Sequence, residues 1–155
     1  MTDIVDRQTR SRMMSGIRSK NTKPELAARR YLHAAGFRYR LHVKGLPGKP
    51  DIVLPKYGAV VNVHGCFWHR HQGCRNCSTP ATRSAFWELK FRNTIDRDKQ
   101  VTQQLLELGW RVLIVWECGL RAQPAATLEH LIHTIKNLDI PYEEIPCANN
   151  GDNRP

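Results

Sequence analysis

The hydrophobic pattern changes rhythm several times along the chain. "TKPELAARRYLHAAG", residues 22–36, predicts a helix: Thr22 can cap it, Pro24 suits the first turn and Gly36 closes it. "FRYRLHVK", residues 37–44, alternates, with Phe37, Tyr39, Leu41 and Val43 on one side and Arg38, Arg40, His42 and Lys44 on the other. That pattern predicts a strand with one buried face and one basic face. "GLPGKP" is a turn, and the apolar runs "DIVLP" and "AVVNVHG", separated by "KYG", predict a hairpin of strands buried on both sides. Residues 64–83 are rich in Cys, His, Gly and Pro and predict a loop. Residues 84–108 predict a long helix: Trp87, Phe91 and Ile95 lie four apart, Leu105 and Leu108 continue an apolar side, and Gly109 ends it. "WRVLIVWEC" predicts another buried strand and "AATLEHLIHTIKNL" a C-terminal helix.

Helix, strand, hairpin, loop, helix, strand, helix is the order of a small α/β layer fold with a mixed sheet. The expected organisation is a basic N-terminal arm over residues 1–21, a single domain over 22–145 and a loose polar tail over 146–155. The length of 155 residues suits one domain with a real core. No apolar run reaches the roughly 18 residues that span a bilayer, and "MTDIVDRQTRSR" has no apolar signal core. Cytoplasm or nucleoid is the expected location.

Charge sharpens this picture. The net charge is +10. Residues 1–44 hold eleven Lys and Arg against three Asp and Glu, or +8, and residues 45–155 hold thirteen against eleven, or +2. A basic N-terminal third points to a polyanion, and nucleic acid is the expected partner. The cysteines, Cys66, Cys74, Cys77, Cys118 and Cys147, are odd in number, so a disulfide framework is not expected and metal is.

"VHGCFWHRHQGC", residues 63–74, concentrates the candidate chemistry. Tetrahedral zinc needs thiolate and imidazole ligands brought together by a tight loop. Cys66, His71 and Cys74 have workable spacing, and Cys118, at the end of the last predicted strand, can complete a closed structural Zn²⁺ site. Cys77 competes for one position. Asp51, at the edge of a strand beside a basic face, suits Mg²⁺, which binds one or two carboxylates together with water and phosphate; a turn aspartate after proline is the plainer alternative. His64 and His69 are not needed for zinc and can move a proton near neutral pH, unless they are ordinary loop histidines. Glu25 completes a Thr-x-x-Glu capping box, so its role at a metal cannot be read from spacing. Phe67 and Trp68 can wedge between bases or cap the core. Met13 and Met14 are apolar residues inside the basic arm.

Five blocks, "TRSRMMSGIRSKNTKPE", "LPGKPDIVLP", "VHGCFWHRHQGC", "PATRSAFW" and "LGWRVLIVWEC", occur in order between about residues 9 and 121. Together they resemble the very-short-patch-repair mismatch endonucleases of bacteria. The resemblance implies a restriction-endonuclease-like mixed central sheet flanked by helices, with a zinc-stabilised loop. It implies a Mg²⁺-dependent nick on the 5′ side of the thymine in a T·G mismatch left by deamination of 5-methylcytosine in double-stranded DNA; because a one-strand cut needs one site, a monomer is expected. By the same resemblance, Asp51 and the main-chain carbonyl of Val63 bind Mg²⁺, and His69 is the base for the attacking water. His64 acts beside it, protonated, on the phosphate or leaving group, with Glu25 and Asp98 in support. Cys66, His71, Cys74 and Cys118 bind structural zinc, and Met14, Phe67 and Trp68 intercalate beside the mismatch. Restriction-type nucleases often place a second acid and a lysine on the strand after the aspartate; "AVVNVHG" has neither, so Asp51 and histidine carry the chemistry.

Three positions depart from the pattern. Val63 replaces a threonine found in some relatives, "HQGC" has an extra residue, and Thr94 stands where an asparagine is expected, with Asn93 one position early. Lys90 keeps its place. Lys90, Asn93 and Thr94 are the expected mismatch-reading residues. The rival readings are a restriction-type endonuclease that cuts both strands at an intact sequence and a non-catalytic zinc DNA-binding protein.

Overall fold

In the computed structural model the described residues are Gln8 and 21–146. The N-terminal segment with Met13 and Met14, and the tail beyond Pro146, lie outside them. The first described helix, α1 (Lys23–Ala34), begins as its sequence requires: the Thr22 side chain accepts the Glu25 backbone N–H at 3.4 Å, and Pro24 occupies the first turn.

Strands β1 (Ile52–Leu54) and β2 (Ala59–His64) form the expected antiparallel hairpin, closed by a 3₁₀ turn at Pro55–Tyr57 and by Gly58 at φ +59°. A short helix, α2 (Cys66–His69), follows, then the long α3 (Ser84–Glu107), β3 (Arg111–Trp116), α4 (Glu117–Ala122), α5 (Pro124–Lys136) and β4 (Tyr142–Ile145). The sheet order is β1-β2-β3-β4, with β2–β3 and β3–β4 parallel, so the sheet is mixed. β3 is buried along its whole length. Its Leu113 and Val115 pack with Leu32 of α1 and Leu131 and Ile135 of α5, while Val112, Ile114 and Trp116 pack with Leu105 of α3 and with Cys66. Period-two alternation on a strand buried on both faces thus builds a helix–sheet–helix sandwich. Among the described residues no helix is long and apolar enough to cross a membrane.

Three features differ from the sequence reading. Residues 37–44 are not a strand. Arg40 and Val53 exchange backbone hydrogen bonds of 2.8 and 2.9 Å, and this is a single bridge. Beyond it His42 takes φ +51°, turning the chain away, and Leu41 is 37% exposed. β1 has only three residues and offers its neighbour little ladder to pair with. Conversely, Tyr142–Ile145 is a strand that alternation does not reveal, because in "YEEI" only Ile145 is buried. Finally, the expected loop over 64–83 contains α2, and Cys118 lies in α4 rather than ending β3.

Arg111 joins the sheet to α5. Its guanidinium donates to the carbonyls of Thr134 (2.6 Å), Asn137 (2.7 Å), Ile140 (2.8 Å) and Ile135 (3.0 Å). These include carbonyls at the C-terminal end of α5, where intrahelical partners run out and a cation is favoured. Arg111→Met leaves several buried carbonyls without donors and should cost about 3–5 kcal/mol. Urea unfolding checks this; a loss below about 1 kcal/mol would show the bonds to be dispensable.

Candidate active site

Asp51 sits one residue before β1, opposite the end of β2. Its Oδ2 accepts the Val63 backbone N–H at 2.7 Å, and its own N–H donates to Asn62 Oδ1 at 3.3 Å. The preceding turn is pressed against α3. Gly48 has φ +69°, and a Cβ there would run into the Val101 side chain, so only glycine lets this turn close.

The hairpin, α1 and α3 enclose a cleft of about 520 Å³. Glu25, Asp51, Val63, His64, His69 and Asp98 line it, and Lys44, Lys49 and Arg97 border it with positive charge. Burial raises the Asp51 pKa to about 6; the Val63 N–H opposes the rise, Glu25 adds to it, and Arg29 and His69 lower it. A half-buried carboxylate that resists ionisation beside other oxygen donors and lysines fits a site for a hard divalent cation and a phosphate. The structure therefore gathers the five residues expected to be catalytic, and Val63, around one space.

His69 Nδ1 lies 2.6 Å from Asp98 Oδ2. With Asp98 ionised, that contact places the ring proton on Nδ1 and leaves the Nε2 lone pair free. Asp98 reaches His69 from α3, a partnership no local spacing reveals. The His64 ring stacks on His69, with centroids 3.8 Å apart and planes within 8°. Burial, and then the neighbouring His69, lower the His64 pKa to about 3. In the free protein this environment favours the neutral His64 imidazole.

His64, His69 and Asp98 offer ligand atoms within 4.8 Å of one another. The stacking nevertheless argues against an ion shared by the two rings as they stand. Imidazole binds metal in its own plane, and an ion between parallel rings would lie far out of both planes.

The second cluster is different. Cys66, His71, Cys74 and Cys118 also bring ligand atoms within 4.8 Å. His71 Nδ1 lies 3.4 Å from Cys118 Sγ and 3.9 Å from Cys66 Sγ. Tetrahedral zinc, with Zn–S of about 2.3 Å and Zn–N of about 2.0–2.1 Å, sets its ligand atoms roughly 3.5–3.8 Å apart. Burial pushes the Cys66 and Cys118 thiols up and His71 down, so a divalent cation, not bare thiolates, suits this pocket. The donor set fits structural Zn²⁺. Cys77 is outside the cluster; its backbone N–H donates to the Cys74 carbonyl at 3.1 Å.

On the far side of α2, Phe67 and Trp68 meet edge to face at 4.9 Å. Trp87 joins them, 5.7 Å from Phe67 and 5.9 Å from Trp68, and Lys90 Nζ lies 5.8 Å from the Trp68 ring. Phe67, Trp68 and Trp87 are all half-buried, and Phe86 beside them is 44% exposed. The spacing of Trp87 with Phe91 and Ile95 predicts a place on the apolar side of α3. Trp87 packs 5.6 Å from Phe91 as well as against the α2 aromatics, a neighbourhood that helical periodicity cannot show. Asn93 is exposed, whereas the Thr94 hydroxyl donates to the Lys90 carbonyl at 3.0 Å and is thereby occupied within its own helix.

Comparison with known proteins accords with this geometry. The family model described as DNA mismatch endonuclease Vsr matches residues 2–76. The DNA mismatch endonuclease Vsr of Escherichia coli is 41% identical over 136 residues, covering 88% of this chain and 86% of that protein. The type II nicking enzyme V.XorIIP of Xanthomonas oryzae pv. oryzae is 48% identical over 120 residues, 77% of this chain and 88% of its own. The type II nicking enzyme V.NmeAIP of Neisseria meningitidis is 42% identical over 139 residues, 88% of this chain and 99% of its own.

Proposed function

The chain belongs to the Vsr family of DNA mismatch endonucleases, and on that premise we propose that it nicks one strand of duplex DNA on the 5′ side of the thymine in a T·G mismatch, using Mg²⁺. The observation that carries the reading is the His69–Asp98 pair facing the cleft that contains Asp51.

Asp51, which accepts the Val63 N–H, would hold the cation together with the Val63 carbonyl and Glu25 as further oxygen donors. Bound there, Mg²⁺ would supply charge stabilisation to the phosphate under attack. His69 Nε2 takes the proton from the attacking water, and Asp98 holds the tautomer and stabilises the imidazolium that forms. His64 fixes the plane of His69 by stacking and offers a neutral N–H to the phosphate. Lys44, Lys49 and Arg97 bind the backbone on either side.

Phe67 and Trp68 on α2 insert beside the mismatch, with Met14 of the N-terminal arm as their proposed counterpart. Lys90 and Asn93 read the pair by donating, while Thr94, its hydroxyl proton committed to the Lys90 carbonyl, contributes only a lone pair and its methyl. Unstacking costs a few kcal/mol per step and least at a mispair, so the wedge also selects. The zinc cluster holds α2, which carries both the wedge and His69. One active site cuts one strand, so a monomer suffices.

A duplex labelled on each strand tests the chemistry. Only the thymine strand should be cut, once, and only with Mg²⁺ present; cutting of both strands, or cutting in a chelator, overturns the reading. For the zinc cluster, about one zinc per chain is expected, with Cys66→Ser losing it along with duplex cleavage. Metal analysis decides, and a folded, active, zinc-free protein would contradict the ligand assignment.

A further inference from the structure

Glu25 and Arg29 stand one turn apart on α1, and both are buried. Arg29 Nη2 donates to Glu25 Oε2 at 3.1 Å. The same oxygen accepts the Asn21 backbone N–H at 2.9 Å, and Arg29 Nη1 donates to Asn21 Oδ1 at 2.7 Å. Three residues thus form a closed ring of hydrogen bonds. Asn21 takes φ +57°, a conformation asparagine tolerates better than most residues. Outside the ring, the Arg29 carbonyl accepts the Tyr39 hydroxyl at 3.0 Å.

This ring exceeds what capping α1 requires. Thr22 already caps the helix, and a buried ion pair can often be replaced by apolar side chains with no loss of stability. What sets the pair apart is its position. Glu25 lines the cleft beside Asp51, and its side-chain hydrogen bonds among the described residues all go to Oε2 and none to Oε1. The strongly basic N-terminal stretch joins the domain at Asn21.

We propose that Arg29 is a positioning residue of the nuclease site: it fixes the Glu25 carboxylate beside Asp51 and ties the start of the domain, Asn21, to that same carboxylate. The inference rests on the reading of Asp51 and Glu25 as the Mg²⁺ site. It separates two effects. The charge of Arg29 orients Glu25 and governs the Mg²⁺ requirement. The fork of its guanidinium, which lysine lacks, holds Asn21 and governs how the duplex is engaged.

The test measures nicking of a T·G duplex against Mg²⁺ concentration, with thermal unfolding and zinc content as checks on folding. Arg29→Met should raise the Mg²⁺ needed for half-maximal rate by about tenfold, with the rate at saturating Mg²⁺ within about threefold of the parent. Arg29→Lys should restore the Mg²⁺ requirement to within about twofold, yet raise the duplex KM severalfold. Asn21→Gly, which accepts the same backbone angle, should also raise KM and leave the Mg²⁺ requirement alone. An unchanged Mg²⁺ requirement in Arg29→Met, or Arg29→Lys as impaired as Arg29→Met, overturns the proposal. If Arg29→Met does not fold, unchanged KM in both Arg29→Lys and Asn21→Gly overturns it. Asp51→Asn distinguishes the two levels. If that variant still nicks, the site reading itself fails; if it is dead while the Arg29 variants match the parent, only this inference fails.

Discussion

Asp51→Asn should abolish nicking, by a factor of about 10³ or more, while the protein stays folded, keeps its zinc and becomes no less stable. The first half follows from losing the carboxylate that faces the cleft. The second follows from the burial of Asp51. Its folded pKa of about 6 lies above its ordinary value of 3.8. In the metal-free protein at pH 7 the ionised side chain is therefore disfavoured by the fold, and this group's contribution to stability improves as pH falls through 6 towards 3.8. An asparagine keeps an oxygen for the Val63 N–H and removes the charge. Thermal unfolding in chelator at about pH 7 should show an unchanged or higher Tm for the variant, with the difference shrinking by about pH 4. A Tm lowered by several degrees, or nicking within tenfold of the parent, would contradict the role given to Asp51.

The second large effect is at His69. Removing a general base costs about 10²–10⁴-fold, and His69→Ala should fall in that range with the duplex still bound. Asp98→Asn should lose nearly as much for a different reason. The amide of the substituted side chain would donate to Nδ1 where the Asp98 carboxylate accepts, and the ring proton would move to Nε2, the nitrogen that must be free. Single-turnover cleavage alongside duplex binding separates chemistry from affinity. A His69→Ala enzyme within tenfold of the parent would assign the proton to another group. An Asp98→Asn enzyme at full rate would show that the tautomer is not set by the 2.6 Å contact.

Much of this arrangement is legible in the residues, for identifiable reasons. The hairpin and β3 are apolar on both faces because helices cover both sides of the sheet, and such runs stand out in any sequence. α1 announces its start through Thr22, Pro24 and Glu25. Cys66, His71 and Cys74 stand out because thiols and imidazoles rarely crowd one loop, and the folded cluster adds Cys118 from α4 and sets Cys77 apart from Cys74, which spacing alone could not do.

What stayed hidden depends on long-range placement. Residues 37–44 alternate like a strand, but pairing needs a neighbour longer than the three residues of β1, and His42 turns the chain away. β4 is acidic and mostly unburied, so its place beside β3 leaves no periodic trace. Trp87 shares its spacing with core residues and yet joins Phe67 and Trp68. Arg29 looks like one more charge on a helix; only its buried partner, Glu25, gives it meaning. His64 looks like a charge for the phosphate, but in the free protein its half-buried ring, stacked on another histidine, has its pKa pushed well below the usual histidine range.

The central claim is selectivity for a mispair, and it is tested most directly by single-turnover nicking of two duplexes that differ only in one base, T·G against T·A, under saturating Mg²⁺. The T·G strand should be cut faster by about a hundredfold or more, the ratio that roughly 3 kcal/mol of cheaper unstacking provides. Equal rates on the two duplexes would contradict it.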